Sequence, residues 1–323
     1  MCTAISYKTG GRLFGRNLDV DTHYGEAIII TPRNFTLSFR KLERLSRHYA
    51  FIGAGIEKLG YPLYFDGVNE HGLCIAGLNF VGNARYFAPE EKKINITPFE
   101  LIPYVLASFR NVSEAMAELG NLNLIDIPFS TDLPLAQLHW LVADKRESIV
   151  IEQTADGLRI YENPIGVLTN NPPFPFHRDN LSSYMTLTSK KAENLFSHNI
   201  PMAPYSNGLG AFGLPGDISS ASRFVRAAFY AHNATKSTEK MGDVYQLFHI
   251  LSSVEQIEGA ACTDGGYERT DYSAVMDPTT ATYYYRTYTD SKTHAVRLSS
   301  DDSESCTLTF YPMNRSYSID YQN

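Results

Sequence analysis

Several features that would assign this chain to a specialised class are missing from its sequence. No apolar run approaches the ~20 residues needed to cross a bilayer, so no membrane partner is expected. Lysine and arginine form no block and the net charge is −7, which disfavours nucleic acid as a partner. The first twenty residues lack a basic start followed by an apolar run, so we expect no secretory signal and a cytoplasmic location.

Cysteine is scarce as well, with four residues in a chain of 323. Cys2, Cys74, Cys262 and Cys306 form no C-x-x-C pair, so a zinc site is poorly supported and free thiols are expected. Cys74 lies in the apolar run 73–76, where we expect it to fill a core.

The chain also lacks the regular strand–helix alternation of a parallel doubly wound sheet. Hydrophobic patterning instead predicts groups of strands separated by groups of helices. The predicted strands cover 2–7, 12–19, 27–31, 49–54, 73–80, 138–143, 148–152, 158–161, 166–168, 267–276, 282–288, 294–298 and 306–311. With no linker and no repeat, this order predicts one α+β domain over residues 1–323, with two antiparallel sheets covered by helices.

Local signals add detail to this outline. Residues 97–100 form a capping box with Pro98 at the first helical position, and Ser113 is the predicted N-cap of a second helix. A second helical block is predicted over 176–251, broken by the glycine-rich loop 207–216. Residues 66–72 predict a turn, and the strands between 138 and 168 predict a meander.

The first three residues, Met1-Cys2-Thr3, suggest the chemistry. Removal of Met1, which the small side chain of Cys2 permits, would leave a thiol and a free α-amine on one residue. Because the reference pKa is ~8.5 for a thiol and ~7.7–8.0 for an α-amine, part of the amine population can take the thiol proton at neutral pH. The alternative is that Cys2 is only a small second residue.

Two motifs supply arginines that could serve this thiol. A hairpin turning at Gly10-Gly11 would lay Arg16 and Asp19 beside the amino terminus, although both could equally be surface residues. Ser219 or Ser220 is the predicted N-cap of a helix, which places Arg223 near the first turn. The helix dipole disfavours a cation there, so Arg223 needs another reason, such as an anionic partner or a salt bridge at the rim.

Two asparagines end apolar strands. Asn170 is followed by Asn171, Pro172 and Pro173, and prolines forbid further ladder bonding. An asparagine amide at such a place can donate to a developing oxyanion, and losing one such donor typically costs roughly 2.7–4 kcal/mol of transition-state stabilisation. Asn79 ends the strand predicted over 73–80; for both asparagines the alternative is a residue that only shapes a turn.

In combination these motifs resemble the choloylglycine hydrolase family, which contains conjugated bile salt hydrolases and penicillin V acylases. The resemblance covers essentially the whole chain, and it is specific because the motifs occur in one order. The motifs are 1–3, 14–19, 76–80, 138–140, 168–172, 214–217, 222–224 and 283–288. The resemblance implies an N-terminal-nucleophile hydrolase fold with four layers, αββα, and suggests a homotetramer.

The resemblance also implies roles for the residues that match the family motifs. Cys2 would be the nucleophile and its freed α-amine the base, Arg16 and Arg223 would flank the thiol, and Asp19 would hold the amine. A second pair would form the oxyanion hole. The implied reaction is amide hydrolysis through a thioester, with no metal or cofactor.

The implied oxyanion hole combines the backbone N–H of Asn79 with the side-chain amide of Asn170. Because many penicillin V acylases carry Tyr where this chain has Asn79, the resemblance favours glycine- and taurine-conjugated bile salts such as glycocholate and taurocholate. Asn207 replaces an arginine often found in the family, which leaves the preference between glycine and taurine open. The positions that match the family's steroid pocket, each of which could also be plain core, are Leu18, Val20, Phe65, Phe129, Leu133 and Leu138.

Three other interpretations compete with a bile salt hydrolase. A penicillin V acylase would use the same chemistry. A papain-like thiol hydrolase would use Cys74 or Cys262 with a histidine, but the Cys-Gly-Ser-Cys-Trp context of that family is absent. A binding protein with a steroid-sized pocket would bind without turnover.

Overall fold

In a computed structural model, which describes residues 1–317 and 319–323, two antiparallel β-sheets lie face to face between layers of helix. The described strands are β1 (Cys2–Lys8), β2 (Arg12–Val20), β3 (Ala27–Thr31), β4 (Phe51–Lys58), β5 (Tyr61–Tyr64), β6 (Asp66–Asn69), β7 (Cys74–Asn79), β8 (Ile94–Ile96), β9 (Leu122–Leu124), β10 (Leu138–Ala143), β11 (Ser148–Thr154), β12 (Gly157–Glu162), β13 (Val167–Leu168), β14 (Ala261–Thr263), β15 (Gly266–Asp277), β16 (Thr282–Thr287), β17 (His294–Arg297) and β18 (Thr309–Pro312).

The strands form two large antiparallel sheets and one small parallel pair. Within the described residues, the first sheet has seven strands in the order β13-β1-β2-β15-β16-β17, with β14 beside β15. The second has nine, in the order β12-β11-β10-β7-β6-β4-β3-β18, with β5 beside β4. Strands β8 and β9 form a small parallel pair. The predicted hairpin is confirmed: β1 pairs with β2, and Cys2 lies opposite Leu18.

Helices cover the outer face of each sheet. They are α1 (Leu101–Ser108), α2 (Val112–Leu119), α3 (Phe174–Asn180), α4 (Ser220–Asn233), α5 (Lys240–Ser252) and α6 (Ser300–Glu304), with short 3-10 turns at Pro98–Glu100, Leu181–Tyr184 and Leu209–Ala211. Helices α1 and α2 pack on the nine-stranded sheet, and α4 and α5 pack on the seven-stranded sheet. Gly15 of β2 permits this close packing, because a Cβ there would lie 3.0 Å from the Leu247 side chain of α5.

The apolar strands of the second sheet are buried on both faces. In β3, Ile28 and Ile30 belong to the core between the sheets, whereas Ile29 belongs to the core beneath α1 and α2. The same alternation places Leu141 in the first core and Trp140 in the second. Successive side chains of a strand point to opposite faces, so an uninterrupted apolar run indicates cover on both sides. The predicted αββα arrangement is therefore confirmed.

Two local predictions are corrected. Residues 66–69 form the buried strand β6 instead of a turn. Neighbouring side chains donate hydrogen bonds to the carboxylate of Asp66, and the side chain of Asn69 donates to the carbonyls of Leu106 and Phe109. The turn begins only at Asn69, whose carbonyl accepts the N–H of Gly72. The N-cap of α2 is Asn111, not Ser113, since its side chain accepts from the N–H of Glu114 at 2.9 Å.

The predicted meander and the second helical block are also partly wrong. Strands β10, β11 and β12 form a meander, but β13 leaves it and pairs with β1 in the other sheet. Helix α3 ends at Asn180, so much of the segment between it and α4 is irregular. Cys74 is buried in the core, as predicted. Among the described residues, no helix combines the length and the apolar character needed to span a membrane.

Candidate active site

The thiol of Cys2 lies at the start of β1, between β2 and β13. Its Sγ is buried and accepts a hydrogen bond from Nη2 of Arg16 at 3.2 Å. Arg16 lies opposite Ala4 on the paired strand, two residues from Cys2. Residues two apart share a face of a strand, so the hairpin itself brings the guanidinium to the thiol.

A carboxylate that the sequence analysis missed lies behind Arg16. Nη1 of Arg16 donates to Oδ2 of Asp66 at 3.1 Å, and both side chains are fully buried. The hydroxyls of Tyr272 and Tyr283 donate to the same carboxylate at 2.6 and 2.7 Å. Burial alone lowers the pKa of Arg16, but attraction from Tyr272, Cys2 and Asp66 raises it above its ordinary value, so the guanidinium stays charged.

Strand β13 delivers Asn170 to Cys2. The side-chain Oδ1 of Asn170 accepts from the backbone N–H of Cys2 at 2.8 Å and from Nη2 of Arg223 at 2.7 Å. Only the amide oxygen can accept, so these two donors fix which way the amide points. Its Nδ2 donates to the backbone carbonyl of Asn79 at 2.8 Å, which leaves a second Nδ2 hydrogen for another acceptor.

The backbone of Asn79 faces the same space. Successive residues of an antiparallel strand direct their N–H groups to opposite neighbours. The N–H of Phe80 donates to Gln137 at 2.7 Å on the β10 side, whereas that of Gly77 points to the β6 side. Asn79 lies two residues after Gly77 in the same strand, so its N–H and carbonyl also point away from β10 and toward Asn170. The backbone of Asn79 therefore lies beside the side-chain amide of Asn170, which contacts Cys2.

Arg223 is buried completely, although it stands early in its helix. Ser219 is the N-cap of α4, as predicted, and Arg223 is the fourth helical residue. Its Nη1 donates to the carbonyl of Cys2 at 2.6 Å and to Oγ1 of Thr3 at 2.7 Å, and its Nη2 donates to Asn170. These acceptors explain a cation against the helix dipole, and the alternative of a salt bridge at the rim is wrong.

Asp19 carries a buried carboxylate with one oxygen bound and one unbound. Oδ1 accepts the hydroxyl of Thr270 at 2.6 Å, and Oδ2 has no hydrogen-bond partner in the described part of the chain. Burial raises the pKa of Asp19, and the charges of Arg223 and the chain's amino group oppose that rise. With Met1 present, the α-amine donates to the backbone carbonyl of Asp19 at 3.0 Å and to Glu268 at 2.5 Å. The predicted contact between the Asp19 carboxylate and the amine is absent from this form, because Met1 carries the amine one residue further.

Three of the predicted pocket residues adjoin the catalytic group. Leu18 pairs with Cys2, the carbonyl of Phe65 accepts from Arg16 at 3.1 Å, and Leu138 pairs with Asn79. Val20 follows on the same face of β2, two residues beyond Leu18, and is half-buried. The ring of Tyr24 lies 6.2 Å from that of Phe65, which adds an aromatic side chain that the sequence analysis did not predict.

The other two predicted pocket residues lie in the loop before β10. The ring of Phe129 packs against Tyr61 and Phe99 with centroids 5.9 and 5.3 Å apart. The N–H of Leu133 donates to the carbonyl of Ser130 at 3.3 Å. The ring of Phe129 therefore packs on β5 and on the turn before α1, and these contacts do not by themselves join Phe129 or Leu133 to the thiol.

One cluster in the described residues has the ligand types of a metal site. His23, Glu26 and Asp271 lie close together, but Arg315 donates to Glu26 at 2.8 Å and to Asp271 at 2.6 Å. The guanidinium already supplies the positive charge that these carboxylates require, so the cluster is a salt-bridge network. The thiol, two guanidiniums and two amide donors instead suit nucleophilic acyl transfer, for which side chains and backbone suffice.

Comparisons with known proteins bear directly on this arrangement. Residues 2–311 match the choloylglycine hydrolase family of linear amide C–N hydrolases. The chain belongs to the choloylglycine hydrolase family. It is 50% identical over 314 residues to a bile salt hydrolase/transferase of Lactiplantibacillus plantarum, covering 97% of each chain. The structure of a conjugated bile acid hydrolase variant from Clostridium perfringens superposes with a TM-score of 0.92 at 34% identity, covering 100% of both chains.

The penicillin V acylase considered in the sequence analysis is represented by a more distant relative. A penicillin V acylase of Pectobacterium atrosepticum is 28% identical over 199 residues, which cover 59% of this chain and 47% of that one. Membership of the choloylglycine hydrolases makes the chain a linear amide hydrolase. The expected N-terminal-nucleophile fold is confirmed by the structural match. The papain-like interpretation is wrong, because Cys74 lies buried in a strand of this different fold.

Proposed function

We propose that the chain, once Met1 is removed, hydrolyses the amide bond of glycine- and taurine-conjugated bile salts with Cys2 as nucleophile. The observation that carries this proposal is the convergence on Cys2 of Arg16, Arg223 and the amide of Asn170. The relative that is 50% identical to this chain is a bile salt hydrolase/transferase, which supports the choice of substrate.

The mechanism begins with the loss of Met1. In the longer chain the nitrogen of Cys2 is an amide that donates to Asn170, so it has no basic lone pair. After processing, the same nitrogen is an amine on the residue that carries the thiol. The unbound Oδ2 of Asp19 is available to accept from the resulting ammonium. The amine takes the thiol proton, and the positive charge of Arg16 stabilises the thiolate.

Attack on the substrate carbonyl forms the carbon–sulfur bond and places negative charge on the carbonyl oxygen. The N–H of Asn79 and the second Nδ2 hydrogen of Asn170 would bind this oxyanion. Collapse breaks the carbon–nitrogen bond, and the protonated α-amine of Cys2 gives its proton to the departing glycine or taurine. Water, deprotonated by the same amine, then cleaves the thioester and releases the bile acid.

The substrate would lie with its amide at Cys2 and its steroid against apolar side chains. Leu18, Phe65 and Leu138 adjoin the catalytic group and Val20 follows Leu18 on the same face of β2. We propose that these side chains supply an apolar surface and that Phe129 and Leu133 extend it. Burial of apolar area is worth roughly 25 cal/mol per Å² before association costs. The acidic end of the leaving amino acid would face the cationic side chains that surround the thiol.

Product analysis tests this assignment against penicillin V acylase activity. We expect a processed preparation, given mixed conjugated bile salts, to release free bile acids with glycine and taurine. Turnover of penicillin V by the same preparation should be well below that of glycocholate and taurocholate. A kcat/KM for penicillin V that equals or exceeds the value for every conjugated bile salt would assign the chain to the other branch. Binding of bile salts without release of products would favour a binding protein.

We also propose that the chain is one domain that assembles as a homotetramer in the cytoplasm. Both sheets contribute residues to the site, which supports one domain. Cysteines 2, 74, 262 and 306 are free thiols, two of them exposed, which suits a reducing compartment. The segment 185–212 exposes large apolar side chains, and such exposure is typical of a protein interface. The side chains that are 77% to 87% exposed there are Met185, Leu195, Phe196, Tyr205 and Phe212.

A further inference from the structure

Two histidines that take no part in the proposed mechanism are fully buried next to the oxyanion-hole asparagine. His177 lies in α3, seven residues after Asn170, and His139 lies in β10 of the nine-stranded sheet. Both have 0% relative exposure. A buried polar ring is costly unless it is hydrogen-bonded, so the partners of these rings show what each one holds in place.

His177 binds the backbone of Asn170. Its Nε2 lies 2.8 Å from the carbonyl oxygen of Asn170, and a carbonyl can only accept, so Nε2 carries the hydrogen. Burial lowers the pKa of His177 to about 4, which keeps the ring neutral at physiological pH. The ring stacks on Phe224, the neighbour of Arg223, with centroids 4.9 Å apart. His177 therefore contacts Asn170 itself and the neighbour of Arg223, and Asn170 and Arg223 both bond to the backbone of Cys2.

His139 binds the preceding peptide in the same way. Its Nε2 lies 2.9 Å from the carbonyl oxygen of Thr169, and its Nδ1 lies 3.0 Å from Oε1 of Glu152. The same carboxylate oxygen accepts the N–H of Phe174 at 2.9 Å, which ties it to the start of α3. The ring stacks on Phe80, directly after Asn79, with centroids 4.3 Å apart and an interplanar angle of 7°.

The backbone of the segment that these rings hold is not fixed by strand pairing. Strand β13 ends at Leu168, so Asn170 lies beyond the ladder. Its N–H donates to Oγ of Ser220 at 2.8 Å, and its carbonyl is bound by His177. Both backbone polar groups of Asn170 are thus fixed by side chains from helices. Productive donors must be held within ~0.5 Å and ~10–20° of their target geometry, which local strand pairing cannot supply here.

We propose that His177 and His139 are positioning residues, which hold residues 169–170 so that the amide of Asn170 points at the oxyanion. This inference rests on the proposed catalytic role of Asn170. The rings act as hydrogen-bond donors to the backbone and never exchange a proton with the substrate. Their stacking on Phe80 and Phe224 aligns Asn79 and Arg223 with the same segment.

Paired substitutions at His177 separate this role from simple packing. His177→Gln retains a donor close to the Nε2 position, whereas His177→Phe retains a ring beside Phe224 but donates nothing. We expect His177→Phe to lower kcat for glycocholate about 10- to 100-fold, less than the ~10²–10³ typical of losing an oxyanion donor outright. KM should change by less than about threefold, and His177→Gln should stay within about fivefold of wild-type kcat.

Alkylation of Cys2 by iodoacetamide provides a readout that needs no oxyanion hole. We expect Cys2 to be alkylated at the same rate in wild type and His177→Phe, as followed by mass spectrometry of the peptide that contains Cys2, because Cys262 and Cys306 are exposed thiols that also react. His48→Phe is a matched control, because His48 is a buried histidine whose ring nitrogens lie 2.8 and 2.7 Å from the carbonyls of Tyr49 and Phe35. Loss of these two hydrogen bonds should change stability but leave kcat unaltered.

A smaller substitution keeps the test valid if His177→Phe does not fold. Ser220→Ala removes the acceptor for the Asn170 N–H and should lower kcat several-fold with little change in KM. Equal kcat in wild type, His177→Phe and Ser220→Ala would overturn the inference, as would a parallel loss of kcat and alkylation rate. Failure of the wild-type enzyme to release bile acid would instead refute the proposed function.

Discussion

At the scale of single residues, the site is built from buried charges in pairs. Arg16 faces Asp66, and Arg223 lies near Asp19; all four side chains have 0% relative exposure. Removing one member of a buried pair leaves an uncompensated charge and typically costs about 3–5 kcal/mol. In the proposed mechanism, the two cations are therefore held in place before Cys2 ionises, which limits the reorganisation needed when a thiolate forms.

Retention of Met1 should abolish turnover. In the longer chain the nitrogen of Cys2 is a peptide N–H bound to Asn170, and the amine of Met1 is engaged by Glu268. Loss of a general base typically costs about 10²–10⁴ in rate, so we expect at least a hundredfold lower kcat from protein that carries Met1. Intact mass and bile acid release, measured on the same fractions, check this. Full activity in a fraction with Met1 quantitatively retained would contradict the mechanism. Processed Cys2→Ser serves as the inactive reference.

The neutral state of His177 predicts a dependence of stability on pH. Its pKa falls from 6.5 to about 4 because of burial, so between these values the unfolded chain binds more protons than the folded one. The free energy of unfolding should therefore fall as pH drops through this window, by up to about 3 kcal/mol from this group. Urea denaturation of wild type and His177→Gln across the window should show a shallower decline for the variant. An identical pH dependence would assign the decline to other groups.

Phe65 should contribute mainly to substrate binding. It is half-buried between β5 and β6, beside the Arg16 contact. Removing a large apolar side chain reduces the surface offered to the steroid, so Phe65→Ala should raise KM for glycocholate about tenfold while kcat changes less. Phe310→Ala, on the edge strand β18 and 42% exposed, is the control and should alter neither constant. A fall in kcat without a change in KM would move Phe65 from binding to catalysis.

At the scale of elements, one aspartate joins the two sheets. Asp66 belongs to β6 of the nine-stranded sheet, and its side-chain donors Arg16, Tyr272 and Tyr283 come from three strands of the seven-stranded sheet. The pKa values of Tyr272 and Tyr283 are raised well above normal, mainly by burial, so both phenols stay protonated and donate. The apolar interior between the sheets therefore contains a polar contact that fixes their relative position and supports Arg16.

Loss of one donor in this contact should weaken the fold measurably. Tyr283→Phe removes the hydroxyl that donates to Oδ1 of Asp66 at 2.7 Å. A hydrogen bond to a charged group typically contributes about 1.5–3 kcal/mol, and we expect a loss of that size in chemical denaturation. Tyr205→Phe, at a tyrosine that is 84% exposed, should have no effect. Equal stability of the two variants would show that Asp66 needs no donor at this position.

At the scale of the whole molecule, the irregular segment 185–212 carries exposed apolar side chains that the monomer does not cover. If the chain is a homotetramer, this segment is the natural place for contact between copies. Replacing Leu195 and Phe196 with serine should therefore lower the molar mass measured by light scattering. The relative change in kcat per active site should be smaller than the relative change in mass. Leu59→Ser is the matched control, since Leu59 is 88% exposed but lies outside the segment. A tetramer that survives the double change would place the interface elsewhere.

Much of the fold follows from local sequence. Gly10-Gly11 turns the chain so that β1 and β2 pair, and this hairpin alone brings Arg16 to Cys2. Ser219 caps α4 and thereby places Arg223 in its early turns. Such features depend on residues within about twenty positions of each other, where turn geometry and side-chain period leave few alternatives.

The tertiary structure decided what pairs across the chain. Apolar periodicity showed that 166–168 is a strand, but not that it would leave the meander and pair with β1. Asp66 was interpreted as part of a turn because its donors, Tyr272 and Tyr283, lie more than 200 residues away. Nothing in the sequence assigned a role to His139 or His177, because their partners Thr169, Glu152 and Asn170 lie on other elements or beyond the end of a strand. The sequence alone determined the candidates for the nucleophile, the cations and the amide donors. The packing of one sheet on the other determined the buried groups that hold them, because strand period specifies a face but not a neighbour.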